Sequence, residues 1–321
     1  MATYCRPEHL RTCLQHLEAQ TVQPLEIVVV DASPDDRTRR VVDTFAGVAY
    51  LRNELGAGSI ATSRAIGFAA STGEVVAYVD DDAFAAPDWL HQLLLPYGDS
   101  SVVAVGGRAR NGRPGEEAEG LGQIGLLLPN GRLTGNFAAD PGRVVETDHM
   151  IGANMSYRRA VAERLGGVHD YYPGTCLREE TDMALRMRFA GYRVVYTPSA
   201  VVDHVAGPYA RGQRFDLRYD YYGHRNHVVL LSRTLGRSTP HLRRYCGTTL
   251  REVGDDLVSV GRAAMRGRER GARATARTVV AGLARAGVKL AGLAVGAAQA
   301  QRLRLVEGSQ GRQDALYRSQ P

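Results

Sequence analysis

Three consecutive carboxylates, Asp80, Asp81 and Asp82, stand directly after an apolar run in the stretch AYVDDDAFAAP. No Lys or Arg lies between Gly73 and Arg108, so their repulsion has to be relieved from outside this segment. A single aspartate at such a place is commonly a helix cap, but three exceed that need. Clusters of carboxylate oxygens suit Mg²⁺ or Mn²⁺, which often join protein carboxylates to substrate phosphates. The cluster therefore predicts a divalent metal site.

A second acidic group falls within one helical turn of the stretch LREETDMALRMRFAG. Its members, Glu179, Glu180 and Asp182, are followed by two arginines, a pattern that by itself is typical of a helix with a favourable dipole and i, i+4 pairs. His204 follows a strand pattern and, taken alone, is more often a structural histidine than a ligand. Neither feature by itself indicates catalysis.

Helix and strand patterns alternate around these residues. LEIVVVD and EVVAYVDDD are typical of buried strands and VAYLRN of a short one, while EHLRTCLQHLEAQ, RTRRVVDTF and GSIATSRAIGFAAS are helical. Such alternation predicts a doubly wound α/β sheet whose ligand lies at the carboxyl ends of the strands, where Asp31 and the three aspartates fall. Further on, YRVVYTPSAVVDHV predicts a closing pair of strands. The polar stretch 106–142 predicts a loop region over the site.

Length and composition are those of a soluble enzyme or binding domain: 321 residues, 44% hydrophobic and 23% charged. The four cysteines show no zinc spacing, and we expect them to be reduced. The N-terminal residues lack a secretory pattern, so we expect a cytoplasmic protein. No stretch of about 18 uncharged apolar residues is present, so we also expect no membrane-spanning segment.

Charge divides the chain unevenly. Residues 201–321 carry 21 Arg and Lys against 9 Asp and Glu, whereas the rest is acidic. We expect a catalytic domain over 1–205, then an aromatic and basic acceptor-side segment with a helical extension over 206–321. Within it, YDYYGHRNHVVLLSR is either a platform for acceptor or lipid or a helix packed on the core.

The segment 277–304 is apolar and basic. It suits either a docked helix or one lying in a membrane interface, which would make the protein peripheral on the inner face of the membrane. No nucleic-acid motif accompanies the arginines, so we expect no nucleic-acid partner.

The order of the segments carries a family resemblance. VVVDASPDD, NELGAGSIATSRAIGFAASTGEVVAYVDDDAFAAPDWL, GANMSYRRAVAERLGG and EETDMALRMRFAGYRVVYTPSAVVDH resemble in sequence the family 2 inverting glycosyltransferases with the GT-A fold. The resemblance extends from Thr3 to about Arg233. It implies a mixed sheet flanked by helices and the transfer of a sugar from a nucleotide sugar, UDP- or dTDP-linked by preference, to a hydroxyl group. The acceptor would be a saccharide, a lipid-linked molecule or a small molecule.

The resemblance also implies a role for each site residue. The residues that would bind the donor are Thr3, Asp31, Arg64, Asp80 and Asp81. Asp82 and His204 would hold Mn²⁺ or Mg²⁺. Glu180 stands where the family usually has an aspartate base, so Glu179 and Asp182 remain alternatives for that role.

Two other functions fit the same features. A nucleotidyltransferase also uses an α/β sheet with metal-binding aspartates, although ATYCRPEH is a poor match to its Gly-rich basic loop. A non-catalytic protein that binds nucleotide sugar or serves as a scaffold would keep the fold without the activity.

The resemblance also bears on the start of the chain. In the family that it resembles, an apolar strand precedes the segment equivalent to 2–7. We therefore expect the recorded start to lie downstream of the true one.

Overall fold

The structure is a computed structural model that describes residues 1–174, 177–205, 216–265 and 272–318, without the side chains of 272, 273 and 304–318. The strands are β1 (Ala2–Thr3), β2 (Ile27–Asp31), β3 (Val48–Arg52), β4 (Val75–Val79), β5 (Ala83–Ala85), β6 (Val102–Arg110), β7 (Val145–Glu146), β8 (Asn154–Arg158) and β9 (Arg193–His204). The helices are α1 (Pro7–Glu18), α2 (Arg37–Val42), α3 (Ile60–Ala70), α4 (Trp89–Leu94), α5 (Arg159–Arg164), α6 (Glu179–Phe189), α7 (Leu217–Leu230), α8 (Pro240–Met265) and α9 (Ala272–Arg318).

The chain divides into two compact units. The first contains Met1–Leu128 and Leu133–Arg211, and the second contains Pro129–Arg132 and Gly212–Pro321. The expected domain boundary at 205/206 adjoins residues 206–215, which lie outside the described residues, and it stays a prediction.

The first unit contains two sheets. β1, β2 and β3 form a parallel sheet, and the second sheet has the order β4-β8-β6-β9-β5, with β7 paired to β9. β4 pairs antiparallel with β8, and β6 pairs parallel with β9, so the second sheet is mixed. The predicted mixed α/β architecture with flanking helices is confirmed.

Among the described residues no strand pairing joins the two sheets, and β1 is only two residues long. In β1, Ala2 pairs with Val30 and Thr3 with Asp31. Just before β1, the Met1 amine donates to the Val28 carbonyl at 2.8 Å. An apolar cavity of about 390 Å³ lies between β2 and β4, with Met1 also in its wall. Burial lowers the pKa of the Met1 amine to about 6. The doubly wound sheet expected from the sequence is therefore divided at this position.

One long strand replaces the predicted closing pair. β9 runs without a turn from Arg193 to His204, and its register with β6 shifts between Gly107 and Arg108. Pro198 lies in the unpaired stretch of β9 at this shift, and a proline has no backbone N–H to give to a ladder. The strand thus bends past the proline instead of reversing, and it carries His204 to the site.

The second unit is helical, as the sequence predicted for the C-terminal extension. α9 packs closely on α7 through glycines: an added Cβ at Gly292 would come within 2.7 Å of the His224 Cβ, and one at Gly296 within 2.8 Å of the Val228 Cβ. Lys289 of α9 also pairs with Asp256 of α8 at 2.7 Å. The side of α9 that faces its neighbours therefore includes small residues and an ion pair with α8.

Candidate active site

The three aspartates follow β4 and are partnered by side chains distant in sequence. Arg6, at the start of α1, donates through Nη1 to Asp81 Oδ1 at 3.0 Å and to Asp82 Oδ2 at 2.8 Å. Thr3 at the end of β1 donates to Asp81 Oδ2 at 2.7 Å. Burial raises the pKa of Asp81 to about 7, although Arg6 acts in the opposite direction. Protein groups thus relieve part of the repulsion that the sequence left unexplained.

Arg64 joins the aspartates to the acidic helix. It lies on α3, is 5% exposed and donates through Nη2 to Asp80 Oδ1 at 2.8 Å and to the Gly152 carbonyl at 3.0 Å. Its Nη1 forms an ion pair with Glu179 of α6. A single buried guanidinium therefore holds β4, α3 and α6 in one arrangement.

Asp80, Asp82 and His204 could hold a metal ion, because one potential ligand atom from each lies within 4.8 Å of the others. His204 ends β9, pairs in register with Ala83 of β5, and places its Nε2 3.4 Å from Asp82 Oδ1. Two carboxylates and an imidazole are suitable ligands for a divalent cation. Two of the predicted donor and metal residues and the predicted histidine are thus brought together.

Glu180 and Glu179 open α6 beside this cluster. α6 begins after Arg178, whose φ of 89° lies in the left-handed region, so the chain turns sharply before the two glutamates. Burial raises the pKa of Glu180, with Arg178 and Arg64 acting against it and Asp80 adding to it. A carboxylate with a raised pKa accepts a proton more readily near neutral pH than an ordinary one.

Asp182 is occupied by a different group of side chains. One of its oxygens accepts a hydrogen bond from Tyr172 Oη at 3.0 Å, and the other lies 2.8 Å from Arg186 Nη2 and 3.0 Å from His169 Nδ1. Its pKa is lowered, because the contacts to His169 and Arg186 outweigh burial. This arrangement is that of a carboxylate that fixes α6 to the preceding loop.

Asp31 ends β2 and is fully buried. Its carboxylate accepts hydrogen bonds from the Ser33 backbone N–H at 2.8 Å and from Tyr50 Oη at 3.0 Å, and it lies 3.5 Å from Arg52 Nη1. Its position at the carboxyl end of a parallel strand is the one expected from the sequence.

Two polar residues at or near the site were missed by sequence reasoning. Arg6 lies in the quoted loop ATYCRPEH, and its basic side chain so close to the first strand was the available signal. His149 is buried beside Thr181 of α6, with its Nε2 2.9 Å from the Thr134 carbonyl, and no sequence feature pointed to it. Burial lowers the pKa of His149 to about 4.

Known proteins resemble this chain in sequence and in fold. An O-antigen chain rhamnosyltransferase, WbaN, of Salmonella anatum is 29% identical over 209 residues, which are 63% of each chain. A glucosyl-dolichyl phosphate glucuronosyltransferase of Haloferax volcanii is 31% identical over 209 residues, 62% of this chain and 65% of the relative. The chain thus spans less than two thirds of the length of either relative.

The fold likeness extends further along the chain than these sequence matches. The solved structure of S. aureus TarS 1-349 has a TM-score of 0.50 at 16% identity and covers 76% of this chain and 66% of TarS 1-349. At that identity the likeness concerns the fold alone, which is of the GT-A type. The pattern of glycosyl transferase family 2 matches residues 1–166, more than half of the chain. The chain belongs to glycosyl transferase family 2.

Proposed function

We propose that the protein is a metal-dependent, inverting glycosyltransferase that moves a sugar from a UDP- or dTDP-sugar to an acceptor hydroxyl. The observation that carries the proposal is Arg64, which connects Asp80 of the possible metal cluster with Glu179, the neighbour of Glu180. Such a reaction needs a metal site at the leaving diphosphate and a base at the attacking hydroxyl, and the two have to lie close together. Family membership favours this function over a nucleotidyltransferase or a non-catalytic scaffold.

Donor binding is assigned to the carboxyl ends of β2 and β4. Asp82 and His204 would hold Mn²⁺ or Mg²⁺, and such a cation supplies charge neutralisation at the leaving diphosphate. Asp81, fixed by Thr3, would bind the ribose together with Asp80, and Asp31 would bind the base. Arg64 orients Asp80 for this role.

Proton removal is assigned to Glu180. Glu179 is paired with Arg64, and both Asp182 oxygens have partners, whereas the raised pKa of Glu180 suits a group that takes a proton from the acceptor. If the hydroxyl attacks from the side opposite the diphosphate, the anomeric carbon is inverted. With Glu180 as the base, Glu179 and Asp182 have structural roles, since Glu179 pairs with Arg64 and Asp182 with Arg186.

The acceptor class that we favour is a lipid-linked saccharide. The Haloferax relative is named for such an acceptor, glucosyl-dolichyl phosphate. In this chain, α9 exposes an apolar stripe to solvent that includes Val280, Leu283 and Leu290, at 65%, 49% and 44% exposure. A solvent-facing helix stripe of this kind suits contact with a membrane surface.

The charges of the second unit fit the same contact. Between Arg277 and Arg302 the charged residues are Arg285 and Lys289, and both pair with Asp256 of α8. By length and composition alone, Ala274–Leu303 is also long and apolar enough to cross a membrane, so the expectation that no segment spans one stays a prediction. We propose the interfacial arrangement, because the basic residues of 201–321 are complementary to anionic lipid.

Thermal shift with a panel of nucleotide sugars tests the donor. A ligand held at about 100 times its dissociation constant should stabilise the fold by roughly 2.7 kcal/mol. We expect a UDP- or dTDP-sugar to raise the melting temperature with Mn²⁺, and we expect EDTA or Asp82→Ala to abolish the rise. Nucleotide affinity that is indifferent to EDTA would contradict the metal assignment.

A further inference from the structure

One guanidinium nitrogen bridges Asp82 of the possible metal cluster and the neighbouring Asp81. Arg6 Nη1 contacts both Asp81 and Asp82, and the side chain of Arg6 is 21% exposed. Burial opposes the charge of Arg6, but Asp81 and Asp82 outweigh it and raise its pKa. An arginine does not lose its proton in proteins, so a permanent positive charge lies here.

Asp82 is shared between this arginine and the metal cluster. Its Oδ2 accepts from Arg6, while its Oδ1 faces His204. A divalent cation held by Asp82 would therefore lie on the same carboxylate as a guanidinium. Two cations this close in a partly buried place repel each other, and the repulsion is stronger than in bulk water.

We propose that Arg6 is a positioning residue that competes with the divalent cation for Asp82. Without donor, Arg6 neutralises Asp81 and Asp82 and keeps both in place. When the cation binds, Arg6 releases Asp82, and the donor diphosphate becomes its new partner, since guanidinium groups bind phosphates strongly. The second step depends on the proposed function, but the competition between Arg6 and the cation does not.

Such an exchange couples the two ligands. The cation alone binds weakly because it has to displace Arg6, and nucleoside diphosphate strengthens cation binding because it accepts the released guanidinium. Linkage requires that the cation strengthen diphosphate binding by the same factor. Arg6 therefore makes the site respond to the metal and the diphosphate together rather than to the metal alone.

The test measures Mn²⁺ binding by electron paramagnetic resonance without nucleotide. Arg6→Gln should bind Mn²⁺ at least about tenfold more tightly than the wild type, because the competing charge is gone. Arg6→Lys keeps the charge and should stay near the wild type. Arg11→Gln is the matched control on α1, where the exposed side chain pairs with Glu8, and it should change the affinity by less than about twofold.

A second arm adds UDP to the same proteins. In the wild type, UDP should strengthen Mn²⁺ binding. In Arg6→Gln this strengthening should be smaller, by about the factor by which the variant binds Mn²⁺ more tightly than the wild type without UDP. If Arg6→Gln does not fold, two other variants replace the comparison: Asp81→Asn and Arg6→Gln/Asp81→Asn. The double variant should then bind Mn²⁺ more tightly than Asp81→Asn alone.

Equal Mn²⁺ affinity with and without Arg6, or no Mn²⁺ binding by any of the proteins, would overturn the inference. A failure of the proposed function would look different: no nucleotide sugar would be cleaved, while the competition between Arg6 and Mn²⁺ would still be measured.

Discussion

Arg64 Nη2 lies 2.8 Å from Asp80 Oδ1, so a buried side chain of α3 is fixed to the first carboxylate after β4. The same guanidinium pairs with Glu179 of α6. Removing one partner of a buried ion pair leaves the others uncompensated. The arrangement of the site and the stability of the first unit therefore depend on one side chain.

We predict that Arg64→Met lowers the free energy of unfolding by about 3–5 kcal/mol and weakens nucleotide binding. Urea denaturation measures the first effect and thermal shift the second. Arg110→Met is the control, because Arg110 also pairs with a carboxylate, Asp203, but both side chains are about half exposed. That change should cost less than about 1 kcal/mol. Equal losses in the two variants would contradict the role given to Arg64.

Substitutions on α6 separate the proton acceptor from its structural neighbour. Glu180→Gln should lower sugar transfer by about two to four orders of magnitude while donor binding persists, because size is kept and proton affinity is lost. Asp182→Asn should instead lower stability, because it weakens the contacts to Arg186 and His169. Steady-state kinetics and urea denaturation on both variants measure the two effects. If Asp182→Asn loses transfer and Glu180→Gln retains it, our choice of base is wrong.

His149 should make the protein less stable in acid. Its pKa in the folded protein is about 4 against 6.5 for the free group, so the unfolded chain takes up a proton first as the pH falls. The stability that depends on neutral His149 is complete above about pH 6.5 and is lost progressively toward pH 4, by about 3 kcal/mol in total. His149→Gln should flatten this part of the profile in urea denaturation at several pH values. If His149→Gln loses stability between pH 6.5 and pH 4 as steeply as the wild type, this role of His149 is contradicted.

Membrane contact through α9 should depend both on the apolar stripe of α9 and on the excess of basic residues in 201–321. We expect the protein to float with anionic liposomes at low salt and to be released at high salt, because salt screens the surface attraction. The double variant Leu283→Asp/Leu290→Asp should not float, whereas Leu25→Asp, at an exposed leucine of the first unit, should float normally. Release by detergent alone would indicate a spanning helix, and a salt-resistant dimer of free protein would indicate pairing between copies.

Local patterns predicted much of the fold. The buried strands β2 and β4 and the helices α1 and α3 follow from apolar periodicity, which records burial along one segment. The strand pair expected from YRVVYTPSAVVDHV was wrong, because a register shift accommodates Pro198 within the single strand β9. The division of the sheet depends on pairing between distant segments, which periodicity does not contain.

The site was predictable only in part for the same reason. The position of Asp80–Asp82 after a buried strand predicted a polar centre, and the family resemblance added His204 and α6. The partners of these carboxylates are far away in sequence: Arg6 is 75 residues from Asp81, and Arg64 is brought to Glu179 only by the packing of α3 and α6. Tertiary contacts of this kind have no local signal.

The central claim is metal-dependent sugar transfer with inversion, and proton NMR of the protein with its preferred nucleotide sugar tests it most directly. We predict that nucleoside diphosphate is released with Mn²⁺ but not with EDTA, and that the first anomer formed from an α-linked donor, with water or an added acceptor, is β. Release that is indifferent to EDTA, or a first product that keeps the α configuration, would contradict the account.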